Sequence, residues 1–341
     1  MKPIRKLLVI RLSALGDICM TLPVIDSACR AFPDVTFTLL TSKVGALIAR
    51  TVITCDNLQV MGINKRDYNG VSGLNRLYAE LRGCKFDAVA DLHDVIRTKW
   101  VDIRYRLNGK PVKTLHKGRS EKKALVQHRI SRQLATGFER YRDVFAALGM
   151  DFTVDFDAQA CGARLRQMQD ADEAEPLSVG IAPFAQHAGK VYPAPLMRQA
   201  IDLLIAKRPD IRIYLFGSSD EAAELDQWAA AHPGVITCLA GRQSITDDLL
   251  LMSRLRLMVS MDSANMHLAS LVGLRCISVW GATHRYAGFL GYGQHEDNCI
   301  ELSLPCRPCS VYGNVPCRFG DLHCLNDIRP ESVADMICDR L

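Results

Sequence analysis

Residues 257–269, Leu-Met-Val-Ser-Met-Asp-Ser-Ala-Asn-Met-His-Leu-Ala, join a buried-strand pattern directly to helix-starting types. Asp262 and Ser263 are N-cap residues, and Met266, Leu268, Ala269 and Leu271 supply the apolar face of a helix. A strand that runs straight into a helix leaves backbone N–H groups and a positive dipole end at the sheet edge. That chemistry suits phosphate, with Ser263 and Ala264 offering N–H groups and His267 a further donor. The plainer reading is a capped turn with a surface histidine. A second candidate is Arg11-Leu-Ser-Ala-Leu-Gly-Asp17 after the first apolar run, where Gly16 permits a tight turn and Asp17 opens a helix. Asp17 is either a proton acceptor for an attacking hydroxyl or an N-cap. A third is Lys190 beside Gly189, a cation able to neutralise a diphosphate, and a fourth is Glu221 after Ser218-Ser219-Asp220, a carboxylate within reach of a ribose.

A last cluster, Cys306-x2-Cys309-x7-Cys317-x6-Cys324, holds four thiols that would suit a structural zinc. The spacing is not a clean pair of C-x-x-C knuckles, and the intervening Pro, Gly and Arg suit an irregular loop. Free thiols without metal are the reading taken.

These residues need strands to carry them. Apolar runs at 7–12, 35–41, 58–63, 86–92 and 112–115 alternate with helical patterns at 18–32, 73–82, 96–107 and 129–148. Pro23 is expected to kink or restart the first helix. The second half repeats the alternation, with strands at 178–183, 212–217, 235–239, 257–261 and 276–281 and helices at 194–207, 221–231 and 246–254. Continuous βα alternation is the pattern of open parallel sheets. The polar stretch 155–176 divides the halves. The expected domains are 1–160 and 177–325, with a linker at 161–176 and a terminal amphipathic helix at 326–341. Two such domains would set their strand ends around an inter-domain cleft.

Composition narrows the partners. No run is long enough to span a bilayer, and the basic, apolar N-terminus is broken at Arg11 and Asp17, so a first strand is expected rather than a leader. Thirteen cysteines, nine of them scattered through predicted elements, point to free thiols in a reducing cytoplasm. Neither G-x-G-x-x-G nor G-x-x-x-x-G-K-[ST] occurs, which argues against a dinucleotide dehydrogenase or P-loop NTPase. Residues 97–132 hold twelve Lys or Arg against Asp102 and Glu121, so this segment is +10 in a chain of +5. An anionic partner is expected there. Nucleic acid is disfavoured, because only Trp100 and Tyr105 could stack on bases.

Taken together, Arg11-Leu-Ser-Ala-Leu-Gly-Asp17 with Thr21-Leu-Pro23, Asp91-Leu-His93, Lys190 before Tyr192-Pro193, Asp262-Ser-Ala-Asn-Met-His267 and Trp280-Gly-Ala-Thr283 resemble the ADP-heptose:lipopolysaccharide heptosyltransferases. The resemblance implies an inverting transferase of the GT-B class, α/β with two Rossmann-like domains. It implies Asp17 as general base, with Ser13 and Gly16 shaping its loop. Lys190 and the N–H groups around Ser263 and Ala264 would hold the donor diphosphate without metal or cofactor. Asp262 and His267 would orient that turn, and Glu221 would reach the ribose. Arg97, Arg119 and Arg129 of the basic segment would face a phosphorylated glycolipid acceptor. The enzyme would work in the cytoplasm, peripherally at the inner membrane. Alternatives are another nucleotide sugar, or a GT-B shell that binds without turnover. The family's usual Asp-Thr-Gly or Asp-Ser-Gly is Asp262-Ser263-Ala264 here, and its Gly-Pro-Thr-Asp-Pro is Gly281-Ala282-Thr283-His284-Arg285.

Overall fold

The computed structural model describes residues 3–169 and 177–341. In chain order the elements are β1 (Lys6–Ile10), α1 (Leu15–Ala31), β2 (Thr36–Ser42), α2 (Lys43–Val52), β3 (Leu58–Ile63), α3 (Gly70–Gly83), β4 (Ala88–Asp91), α4 (Ile96–Leu107), β5 (Val112–Thr114), α5 (Arg119–Val126), α6 (Gly137–Ala146) and α7 (Ala158–Gln167). There follow β6 (Ser178–Ala182), α8 (Ala194–Lys207), β7 (Arg212–Leu215), α9 (Ala222–Ala231), β8 (Ile236–Cys238), α10 (Ile245–Met252), β9 (Leu257–Met261), α11 (Ala264–Leu271), β10 (Cys276–Trp280), β11 (Cys299–Glu301), α12 (His323–Asn326) and α13 (Pro330–Arg340).

The chain forms two compact units. The first runs to Lys117 and adds Thr136–Phe156; the second comprises Gly118–Ala135 and everything described from Asp157 onward. Each holds one all-parallel sheet, ordered β3-β2-β1-β4-β5 in the first and β11-β10-β9-β6-β7-β8 in the second. This is the α/β, GT-B architecture of two Rossmann-like units. Parallel strands covered by helices are apolar on both faces, and β1, β6, β9 and β10 are buried almost throughout. In such sheets every strand delivers its C-terminal loop to the same edge, where ligands bind.

Several local expectations change. Helix α1 continues through Pro23 without a break, with the Ser27 hydroxyl donating to the Pro23 carbonyl at 2.8 Å. No helix spans 129–148. A capping box, in which Thr136 Oγ1 accepts from Glu139 N–H and Glu139 accepts from Thr136 N–H, starts α6 anew. Just before it, Leu134 N–H donates to Tyr286 O in the second unit, so the segment 127–135 leaves helical geometry where the chain passes between units. The basic stretch is therefore divided. Its residues through Lys117 belong to the first unit, and those from Arg119 to Arg132 to the second. Residues 118–135 and 157–160 thus group with the second unit rather than with the expected domain 1–160.

Of the expected linker, residues 161–167 are helical in α7 and 170–176 lie outside the described residues. Helix α13 packs on α8 through buried Val333, Ala334 and Ile337, and Lys207 Nζ meets Asp335 Oδ1 at 2.6 Å. Among the described residues no helix is long and apolar enough to cross a membrane, and all thirteen cysteines are free thiols.

Candidate active site

At the C-terminal edge of the first sheet, the loop after β1 carries Arg11 to Ala14 and α1 begins at Leu15. Asp17 is therefore the third helical residue rather than the N-cap, and Gly16 lies within the first helical turn rather than in a preceding turn. A carboxylate three residues past the cap can reach back to it, and Asp17 Oδ2 accepts from Ala14 N–H at 3.4 Å. The same oxygen pairs with the Arg11 guanidinium. Arg11 is itself anchored by donating to Leu92 O at 2.5 Å, and it lies over the Tyr141 ring. In this pair the cation is buried, with a side chain 6% exposed, whereas Asp17 is 32% exposed. The fold thus presents a carboxylate to solvent on a buried positive base.

Ser13 makes a hydrogen bond of 3.2 Å to His93 Nε2, in the loop after β4. His93 is buried and its Nδ1 has no hydrogen-bond partner. Burial, then the charges of Arg11 and Lys117, pull its pKa down to about 3, so the ring is neutral near pH 7. The loop is held from beneath by Asp91, whose carboxylate accepts from the N–H groups of His93 and Asp94 and from the Thr98 hydroxyl. Sequence reasoning gave Arg11 and His93 no role of their own. Both stand in motifs quoted above for the resemblance, and each lies just past a strand, Arg11 directly after β1 and His93 two residues after β4.

The second unit gathers its candidates at the corresponding edge. Lys190 ends a short 3-10 turn (Ala188–Lys190), Glu221 follows β7, Asp262 to Ala264 follow β9, and Thr283 follows β10. Asp262 is buried. Its Oδ2 accepts from the Thr283 hydroxyl at 2.8 Å and pairs with Lys190 Nζ at 2.8 Å. Here exposure is reversed: Asp262 is 4% exposed and Lys190 16%. Ser263 is the N-cap of α11 by backbone geometry, but its hydroxyl turns to Ser260 Oγ at 3.0 Å and makes no cap bond. The first N–H groups of α11, which opens with the half-buried Ala264, are thus not used by that side chain. His267, expected at the surface in the plainer reading, is buried on α11. Glu221 is the N-cap of α9, and its Oε2 accepts from Ser218 N–H at 2.6 Å.

Three glycines fix the Lys190 stem. A Cβ on Gly313, whose φ is +75°, would stand 2.6 Å from Lys190 Cγ. One on Gly189 would meet Gly313 O at 2.8 Å, and one on Gly281 would meet Gly189 O at 2.6 Å. Three loops therefore touch backbone to backbone, tied by Ala282 N–H to Gly189 O and by Cys309 N–H to Ala282 O. The cysteine-rich loop thus braces the lysine. Cys306, Cys309, Cys317 and Cys324 line one small cavity with Arg307 and His323. Among the described residues no three His, Cys, Asp or Glu side chains are arranged to hold a metal ion.

Ser13, Gly16, Asp17 and Arg97 lie in the first unit; Lys190, Glu221, Asp262, Ser263, Ala264 and His267 lie in the second, with Arg119 and Arg129.

Comparison with known proteins addresses the family and the fold. Lipopolysaccharide heptosyltransferase 1 of Pseudomonas aeruginosa is 24% identical over 317 residues, covering 89% of this chain and 86% of its own length. Lipopolysaccharide heptosyltransferase 3 of Escherichia coli is 26% identical over 288 residues, covering 79% and 81%. The solved E. coli heptosyltransferase WaaC with ADP shares the fold at a TM-score of 0.69 and 18% identity, over 98% of this chain and 100% of that one. The model of glycosyltransferase family 9 (heptosyltransferase) matches residues 74–317, most of the chain, which therefore belongs to that family of glycosyltransferases.

Proposed function

We propose that this glycosyltransferase moves a sugar, heptose from ADP-heptose in the first instance, onto a phosphorylated lipopolysaccharide-core or related glycolipid acceptor by one inverting displacement. Support for the donor comes from WaaC, solved both with ADP and with ADP-2-deoxy-2-fluoro heptose. Support for the acceptor comes from the lipopolysaccharide heptosyltransferases to which the chain is similar. In the first unit, Asp17 takes the proton from the acceptor hydroxyl as its oxygen attacks the anomeric carbon. Ser13 and neutral His93 shape the neighbouring surface. In the second unit, the departing nucleoside diphosphate gathers negative charge that the Lys190 ammonium and the N–H groups of Ser263 and Ala264 stabilise. Asp262 holds Lys190 in place and Thr283 holds Asp262. Glu221 keeps one carboxylate oxygen for the ribose. No metal or cofactor is assigned to this step. Arg97 in the first unit, and Arg119 and Arg129 in the second, are assigned to the anionic acceptor.

The observation that carries this reading is the Lys190 ammonium held 2.8 Å from buried Asp262, in the loop array that also starts α11. Thermal-shift measurement with ADP, UDP, GDP and TDP on wild type and Lys190→Ala tests it. ADP should stabilise wild type most, and the variant should lose that response. If no nucleotide stabilises wild type, or the variant responds equally, the donor site is wrongly placed. A second reading, another nucleotide sugar, is favoured by Ala264, which puts a Cβ on the first residue of α11. The same panel decides it, by a larger shift with UDP, GDP or TDP than with ADP.

A further inference from the structure

Helix α4 exposes more large apolar side chains than any other described helix of its unit. Its buried face is Thr98, Val101, Asp102 and Tyr105. Its outer face is not polar. Ile96 is 86% exposed, Ile103 52% and Leu107 77%, and Trp100 is half-buried between them in sequence. At about 100° per residue, Ile96, Trp100, Ile103 and Leu107 fall within an arc of about 60°, opposite the buried face. Cations flank this stripe on both sides, Arg97 and Arg104 along one border and Lys99 and Arg106 along the other. Trp100 Nε1 donates to Asn75 Oδ1 on α3 and Arg104 lies over the indole, so the polar edge of the ring is satisfied on the α3 side of the stripe. Exposed Val71, the second residue of α3, lies two residues beyond Asn69, whose side chain Arg97 reaches at 3.1 Å.

We infer that α4 is a membrane-docking helix that lies in the headgroup layer of an anionic bilayer, with Ile96, Trp100, Ile103 and Leu107 directed into the acyl boundary. A helix with an apolar stripe, an interfacial tryptophan and Lys or Arg on both borders matches the physical requirements of such a position. Anionic headgroups complement the two cation rows. A nucleic acid would use the cations but leave four apolar side chains without a partner. A second copy of the chain, meeting this face about a two-fold axis, would set each cation row against another cation row. The inference deepens the glycolipid-acceptor reading above, since such a helix brings the first unit to the surface where an acylated acceptor resides.

The test is co-sedimentation of the full chain with phosphatidylcholine vesicles, with and without about 30 mol % phosphatidylglycerol, together with tryptophan emission. Trp228 and Trp280 are buried, so a blue shift on binding reports Trp100. Wild type should bind the anionic vesicles with a blue shift and bind less as salt rises. The variant I96S/I103S/L107S, altered only at exposed positions, should partition at least about tenfold less. Absence of binding, equal binding to purely zwitterionic vesicles, or undiminished binding by the triple variant would overturn the inference. So would a wild-type dimer that the triple variant abolishes. Transfer to a water-soluble, acyl-free acceptor tests the enzymatic reading separately: the triple variant should retain it, and its failure in wild type would leave the vesicle result standing.

Discussion

The two units build the same kind of ion pair and expose opposite ends of it. In the first, Arg11 is buried and anchored to Leu92 O, while Asp17 faces solvent. In the second, Asp262 is buried and anchored by Thr283, while Lys190 is the more exposed partner. A group in contact with solvent can meet a substrate; its buried counterion can only orient it. In the proposed function this difference puts a carboxylate to work in one unit and an ammonium in the other. Proton acceptance and stabilisation of a leaving diphosphate need these two groups, in that division.

The largest effect should come from breaking the first pair at its exposed end. Asp17→Asn keeps the shape and a hydrogen-bond acceptor toward Arg11 but removes the base. Transfer should fall by about 10²–10⁴-fold, while calorimetric ADP affinity, which the proposed function assigns to the second unit, should stay unchanged. Undiminished transfer would remove Asp17 as base. A parallel loss of ADP affinity would end the division of labour between units.

The second pair can be taken apart in a cycle. Lys190→Met leaves the buried Asp262 carboxylate, among the described residues, with the Thr283 hydroxyl as its side-chain partner, and losing the partner of a buried charge costs about 3–5 kcal/mol. Asp262→Asn leaves Lys190 near solvent and should cost less, about 1–2 kcal/mol. The double variant should recover most of the stability lost by Lys190→Met, because no charge is stranded, yet still fail to bind ADP. Denaturant unfolding and calorimetry on the four proteins measure both quantities. If the double variant is as unstable as Lys190→Met, or binds ADP normally, the exposed lysine is not the working half.

This contrast was only partly legible in the sequence. Apolar patterning located the strands well, because parallel strands buried on both faces read as continuous apolar runs. The expected spans 58–63 and 257–261 coincide with β3 and β9, and helical periodicity placed α4 and α8 at 96–107 and 194–207. Helix α2 begins directly after the last residue of β2, Ser42, which serves as its cap, so no turn residues separate them. The three residues of β11 are too few to form a pattern. At the site, the chemically active types stood out, but their counterions did not. Arg11 belongs to Asp17 because the loop after β1 folds back over its own helix. Lys190 belongs to Asp262 because the sheet order sets β6 beside β9, an adjacency that local spacing does not encode. Gly313, more than a hundred residues after Lys190, was invisible for the same reason.

The smallest effect expected concerns pH, and it touches the first unit alone. His93 faces Arg11, Lys117 and Lys65, with Asp17 as the opposing charge, and is held neutral with a pKa of about 3. The unfolded chain takes up a proton at this residue below about pH 6.5. The folded state does not, so the stability it contributes is complete above pH 6.5 and is lost as pH falls toward 3. Asp102 acts in the opposite sense. Burial and the neighbouring Asp91 raise it to about 7, so the folded state gains that proton first and is favoured on acidification. The two trends partly offset, and the wild-type curve alone separates neither. His93→Gln does. At up to about 1.4 kcal/mol per pH unit, the variant should gain about 1–2 kcal/mol on wild type between pH 6.5 and pH 5. Urea unfolding followed at Trp100, the only tryptophan of the first unit, reads this difference. Parallel pH curves for the two proteins would show that His93 is charged in the folded state. A positive imidazole beside Arg11 would then draw on Asp17 as well, and the first unit would no longer present a carboxylate backed by a single buried cation.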